Sequence, residues 1–196
     1  AQKFHPAMKN VSTARKQLGI RTAFNLLGPL SNPANVKNQL VGVFSIEFLD
    51  RLPALLKRKG AENIMAVRSD DGMDEFSTSA TNRVCILKND KVLMNAIDPE
   101  VVGLHKSSLK DIQIKTKQDA IESFVGVLNN TANQAMIETT ALNAAGGLIV
   151  ANIANDFEEG VEIALKTIKD GKAISLLENF ISETGDITKL KEITNG

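Results

Sequence analysis

Cysteine is almost absent from this sequence: Cys85 is the single one in 196 residues. One thiol cannot close an internal disulfide, so the composition fits a reducing compartment and the expected location is the cytoplasm. An excess of either charge is absent too, with 23 Lys+Arg against 23 Asp+Glu. A formal net charge of zero supplies no overall attraction to polyanions, so neither nucleic acid nor a membrane surface is an expected partner. Long apolar runs are missing as well. The most apolar stretch, Ala141 to Ala154, is interrupted by Asn143 and Asn152 and falls short of the roughly 20 residues that a spanning helix needs. The opening residues, Ala1 to Pro6, lack the apolar centre of a secretion signal, and no methionine starts them, which leaves open that the chain begins inside a longer protein. No glycine-rich phosphate loop of the P-loop or dinucleotide type occurs, so the usual cradle for a bound phosphate is missing.

What is present reads as globular. With 43% hydrophobic and 23% charged residues, bulk disorder is excluded, and the length suits one domain or one and a fraction. Met8, Val11, Ala14 and Leu18 fall at helical spacing, and Gly19 then closes a short helix over 7–18. A second apolar helical stretch, residues 21–27, is expected to stop at Gly28-Pro29. From Gln39 to Phe44 runs a strand. Ser45 then caps a helix reaching about Lys59, with Pro53 forcing a kink or restart, and Asn63 to Val67 form a second strand. Strand, helix, strand is the unit that builds parallel sheets. Residues 75–97 read as β hairpins around Asn89-Asp90, and 101–115 as loop. Helices follow over 118–128, 131–154, 156–169 and 171–182. The pair Gly146-Gly147 in the small-residue helix reads as close packing against another helix or the sheet.

Chemistry is expected at two places. Asp70-Asp71-Gly72-Met73-Asp74-Glu75 follows directly on the second strand, beyond whose carboxyl end ligands sit in open α/β sheets. It reads either as a solvated acidic loop or as a seat for a hard cation such as Mg²⁺ carried with a phosphorylated substrate. Asp74 and Glu75 would point apart in a regular strand, so a shared ion requires a turn, which Gly72 permits. The second place gathers Arg15, Arg21, Asn25 and Gly28-Pro29. An arginine there either grips a carboxylate by its bidentate fork or is an ordinary surface residue. His5 is either a polar contact in a site or a terminal residue. Cys85 and His105 have no partner at metal-ligand spacing, so no zinc site is read.

The run His5-Pro6-Ala7-Met8-Lys9 and the longer one from Arg15 to Pro33 closely resemble the signature of the anthranilate phosphoribosyltransferases. Gly42-Val43-Phe44-Ser45, Asp71-Gly72-Met73-Asp74-Glu75 and Asn143-Ala144-Ala145 follow in the family's order. The resemblance implies an α/β fold, a mostly parallel sheet flanked by helices as in the large domain of nucleoside phosphorylase-like transferases. Residues 1–34 would be the remnant of a small helical domain with its linker, and 35–196 the C-terminal part of the α/β domain. It further implies that most of the small domain and a Gly-Thr-Gly-Gly-Asp pyrophosphate loop belong upstream of Ala1, so that the chain alone is an inactive fragment.

The implied reaction transfers the 5-phosphoribosyl group from phosphoribosyl pyrophosphate to the amino group of anthranilate, in tryptophan biosynthesis. By the same resemblance Asp74 and Glu75 match the Mg²⁺-binding pair, and Arg15 the arginine on the anthranilate carboxylate. His5, Gly28 and Pro29 match residues lining the aromatic-acid pocket. No catalytic base is assigned, since an aromatic amine is already neutral at pH 7. A homo-oligomer is expected, through the apolar side chains of residues 7–30. The alternatives are a pyrimidine nucleoside phosphorylase, whose Arg and Lys motif is not found here, and a nucleic-acid-binding paralogue, for which a neutral chain that keeps Asp74 and Glu75 is a poor fit.

Overall fold

The computed structural model describes Asn10, Gln17, Gly19 and residues 24–89 and 91–194. The helix expected over 7–18 and the candidates His5 and Arg15 lie outside them. Asn10 and Gln17 are helical, and Gly19, at φ +62°, suits the residue that closes a helix. In chain order the elements are α1 (Phe24–Leu30), β1 (Asn38–Gly42), α2 (Arg51–Arg58), β2 (Asn63–Ser69), β3 (Asn82–Lys88) and β4 (Lys91–Ile97). Helices α3 (Lys117–Leu128), α4 (Gln134–Val150), α5 (Phe157–Lys169), α6 (Lys172–Thr184) and α7 (Ile187–Thr194) follow.

The sheet is ordered β1-β2-β3-β4. β1 runs parallel to β2, with α2 in the connection, as the strand–helix–strand reading requires. β3 and β4 are antiparallel neighbours, because the short turn between them, with Asn89 at φ +50°, leaves no room for a crossover. The sheet in this chain is therefore mixed, one parallel pairing and two antiparallel, rather than mostly parallel.

Strands β2 and β3 divide their side chains by alternation. Ile64, Ala66, Cys85 and Leu87 face Leu52 and Leu56 of α2, whereas Met65, Val67 and Val84 face Leu142 and Ala145 of α4 and Phe157 of α5. Residues 64–67 are each at most 1% exposed, so β2 is covered on both faces and reads in sequence as one apolar run. Cys85 belongs to this core. Burial, and secondarily the charge of Asp50, pushes its thiol up.

Two helix boundaries differ from expectation for local reasons. The helix expected from Ser45 is instead a 3₁₀ turn (Ile46–Phe48) followed by α2, whose first residue is Arg51. Pro53 thus sits in the first turn, where backbone N–H groups have no intrahelical acceptor to lose. Helix α1 does not stop at Gly28-Pro29 but runs to Leu30. Proline clashes with a preceding Cβ, and Gly28 has none. Helix α7, which the sequence reading did not include, packs Leu190 with Val125 and Ile174 in a small cluster away from the sheet. The loop between β4 and α3 is tied to α4 by Glu138, a buried carboxylate that accepts from the His105 backbone N–H and meets its Nδ1, both at 2.8 Å.

Helix α4 is apolar on nearly every side and lies between the sheet and α5. Its glycines are not equivalent. A Cβ at Gly146 would stand 2.7 Å from the Phe76 ring, and one at Gly160, on α5, would stand 2.8 Å from the Ala145 Cβ; at Gly147 it would meet nothing. Gly160→Ala should therefore cost about 1–3 kcal/mol by overpacking. Gly147→Ala should stabilise by up to about 1 kcal/mol, because glycine is the poorer helix former. Urea unfolding of the two variants checks this, and equal effects would contradict the packing.

Candidate functional site

The acidic turn leaves the carboxyl end of β2 and is closed on itself by its own backbone. Gly72 N–H donates to the Ser69 carbonyl and Ser69 N–H to the Met73 carbonyl, each at 3.0 Å. Gly72 sits at φ +102°, a conformation that side-chain-bearing residues rarely adopt.

The turn's four acids do different work. Asp70 forms a fork with Arg83, whose Nε and Nη2 donate to its two oxygens at 2.9–3.2 Å. Asp71 accepts from the Met73 N–H at 3.0 Å and from the Ser79 hydroxyl, which staples the turn to the chain ahead. Burial works against its charge, yet hydroxyls of Ser77 and Ser79 and the Met73 N–H hold its carboxyl below the usual carboxylate range. Asp74 and Glu75 are exposed, and neither makes an ion pair or side-chain hydrogen bond among the described residues. The chain bends at both, so they escape the opposed directions of a regular strand. Glu75 stands at the edge of a groove of about 270 Å³ walled by Met73, Ile112, Phe124, Val127 and Met136. Loss of solvation there, and then the charge of Asp74, push its carboxyl above the usual range.

The elements on either side set where this pair sits. At the end of β1, Gly42 lies so close under the turn that a Cβ would fall 1.5 Å from the Asp74 carbonyl oxygen, so no other residue fits. Arg68, half-buried, donates to the Phe44 carbonyl at 2.6 Å and reaches those of Val43 and Gly72 at 3.4 Å. On the other side the chain after Glu75 docks on one stripe of α4. The Thr78 hydroxyl meets that of Thr139 at 2.7 Å, the Phe76 backbone meets the Asn143 amide, and the Phe76 ring covers Gly146. Positions 139, 143 and 146 are spaced to share a helix face. The sequence reading assigned no role to Arg68 or Asn143. The signal of Arg68 is a lone cation ending an apolar strand; that of Asn143 is an amide inside an apolar helix, within the Asn143-Ala144-Ala145 run that follows the family's order.

Gly28 and Pro29 stand elsewhere. Pro29 borders a shallow cleft with Val36, Gln39, Lys59 and Ala61, at the amino ends of β1 and β2. Lys59 Nζ donates to the Leu30 carbonyl and holds the segment there. Four strand steps, roughly 13 Å, separate the amino end of β1 from Gly42 and the acidic pair. The structure therefore does not bring Gly28 and Pro29 to Asp74 and Glu75.

The donor set is all oxygen: two adjacent carboxylates, too few to enclose an ion. That suits a hard cation which keeps waters and shares substrate phosphates, as Mg²⁺ does. Among the described residues no cluster of three or more His, Cys, Asp and Glu is placed to hold a metal. No helix among them is long and apolar enough to cross a membrane.

The anthranilate phosphoribosyltransferase of Nitrosopumilus maritimus is 85% identical over 196 residues, which is 100% of this chain and 56% of that protein. A crystal structure of the Thermus thermophilus enzyme superposes with a TM-score of 0.82 at 33% identity, covering 91% of this chain and 52% of that one. The Saccharomyces cerevisiae enzyme in complex with PRPP and Mg gives 0.78 at 26% identity, covering 91% and 51%. The chain spans about half the length of the relatives it matches. A glycosyl transferase family, described by its a/b domain, matches residues 1–174. That match takes in the strand–helix–strand unit, the acidic turn and the α4 stripe that receives it, and the chain belongs to this glycosyl transferase family.

Proposed function

We propose that the chain is the C-terminal part of an anthranilate phosphoribosyltransferase, joining the 5-phosphoribosyl group of phosphoribosyl pyrophosphate to the amino group of anthranilate in tryptophan biosynthesis. The observation that carries this is the pair Asp74 and Glu75, without partners among the described residues where β2 ends, in a chain 85% identical to a protein of that name. A structure of the yeast relative with PRPP and Mg supports the substrate and the ion. The two alternatives have no such support.

Displacement at the anomeric carbon releases a diphosphate and builds positive charge on the ribose. Bound Mg²⁺ would neutralise the leaving diphosphate. Asp74 and Glu75 would hold that ion, and the closed turn beneath them fixes their backbone before substrate arrives. Arg15 would fork to the anthranilate carboxylate, with His5, Gly28 and Pro29 around the ring. Because Gly28 and Pro29 lie at the amino ends of the strands, a shared site requires residues 24–34 to pack differently once the upstream part is present. In this reading residues 1–34 belong to a small helical domain and 35–196 to the α/β domain. The full protein works as a homo-oligomer in the cytoplasm, and the 196-residue chain alone turns over no substrate.

These proposals are testable in a chimaera that joins the N-terminal part of the Nitrosopumilus relative to this chain. Asp74→Asn with Glu75→Gln should abolish turnover and Mn²⁺ binding while the circular dichroism spectrum stays unchanged; near-normal activity ends the metal assignment. Glu75 also carries a pH signature. A carboxyl held above its ordinary 4.5 in the folded state binds protons more readily there than in the unfolded chain. It therefore costs stability above the raised value and nothing below 4.5. Glu75→Gln should raise the melting temperature of the metal-free protein at pH 7, with the gain fading as pH falls toward 4.

A charge-assisted fork is worth about 1.5–3 kcal/mol, so Arg15→Ala should raise the KM for anthranilate about ten- to a hundredfold. If the KM for phosphoribosyl pyrophosphate rises instead, Arg15 serves the other substrate.

A further inference from the structure

We infer that Asn143 is a positioning residue for the metal-binding pair, holding Asp74 and Glu75 in place through the peptide groups of Phe76. The inference rests on the reading of those two carboxylates as ligands of a divalent cation. Asn143 Oδ1 accepts from the Phe76 N–H at 3.0 Å, and Nδ2 donates to the Phe76 carbonyl at 2.7 Å. A second proton of Nδ2 goes to the Thr139 carbonyl one turn back at 2.9 Å, which fixes the side-chain rotamer against its own helix. One primary amide thus takes both backbone groups of the residue that follows Glu75. No other uncharged side chain of similar length offers an acceptor and two donors in one plane.

The clamp closes the acidic pair from one side while Gly42 closes it from the other. The Asp74 carbonyl rests on the Gly42 backbone, and Phe76, two residues on, is gripped by Asn143 and packed on Gly146. Between these points Asp74 and Glu75 have little backbone freedom, and their side chains start from fixed positions. The grip comes from α4, and the Asn143 amide is withdrawn far enough from solvent that water competes poorly for the two Phe76 groups. Asn143 touches neither carboxylate, so it acts on a bound ion only by setting their directions, as outer partners of metal ligands do.

The test uses the chimaera and Mn²⁺ as the probe, with binding read by electron paramagnetic resonance. Asn143→Ala should weaken Mn²⁺ binding by about tenfold or more. It should raise the Mg²⁺ concentration for half-maximal activity in parallel, with kcat largely restored at saturating Mg²⁺. Asn143→Asp keeps the shape and the acceptor for Phe76 N–H but sets a carboxylate against two carbonyls, and it should behave likewise. Gly160→Ala, which disturbs α4 on the α5 side, is the control; it should lose stability with Mn²⁺ affinity unchanged. In the unsubstituted protein the Phe76 amide should exchange with deuterium slowly, and exchange at the rate of an open loop overturns the clamp without any variant. Folded Asn143 variants that bind Mn²⁺ like the parent overturn the inference and leave the metal assignment standing. Unaltered Mn²⁺ binding by Asp74→Asn with Glu75→Gln overturns the metal assignment itself, and the inference with it.

Discussion

Phe76 joins the sheet, the central helix and the acidic turn in one place. Its ring has no solvent exposure, covers Gly146 and meets Phe157 edge-on at 5.2 Å. Its backbone is held by Asn143. A buried aromatic ring contributes on the order of 2–3 kcal/mol through area alone. Here the same residue fixes the end of a segment whose other end is the strand β2. The turn between those anchors therefore cannot relax without disturbing the core. That coupling lets a short loop carry two uncompensated carboxylates. A free loop would swing Asp74 and Glu75 apart to relieve their repulsion, at little cost.

The repulsion stays within the fold because the other acids of the turn have partners of their own. Asp70 faces Arg83, and Asp71 is spent on hydrogen bonds that close the turn. Glu75 feels both the groove and a charged neighbour, and its raised carboxyl records the cost. Charge held unpaired in this way costs stability, a cost that fits the proposed role of the pair as cation ligands.

Much of this was legible in the sequence, where local rules apply. The strand–helix–strand unit and the turn at Gly72 follow from residues near one another in the chain, and the tight packing at Gly146 is signalled by the adjacent small residues although its partner, Phe76, is distant. What the sequence concealed was set by partners far away. Asn143 and Phe76 are 67 residues apart, and nothing local marks an amide in a small-residue helix as a clamp. The division of labour among Asp70, Asp71, Asp74 and Glu75 depends on Arg83 and Ser79, which reach the turn only once β3 has paired with β2. Gly28 and Pro29 are read from a local cluster with Arg15 and from the resemblance, and their place at the amino ends of the strands reflects Lys59 and Leu30, a contact between residues 29 apart in the chain.

The one parallel pairing of the sheet decides where the acidic pair lies. Because β1 and β2 run the same way, the residues that follow each emerge side by side, so that Gly42 meets Asp74 and Arg68 spans from Phe44 to Gly72. Antiparallel pairing of the same two strands would carry residues 42–44 to the far end of the sheet and leave the turn unsupported. The antiparallel strands serve a different purpose: β3 delivers Arg83 to Asp70, and Asn82, fully buried, bonds the Ser77 backbone at 2.8–2.9 Å. The crossover that forces β1 and β2 parallel is the segment containing α2, and its packing on Ile64, Ala66 and Cys85 holds the two carboxyl ends together. Burial beneath the sheet and the placing of carboxylates above its edge are thus one arrangement, in which the apolar face of α2 fixes the distance between Gly42 and the acidic pair.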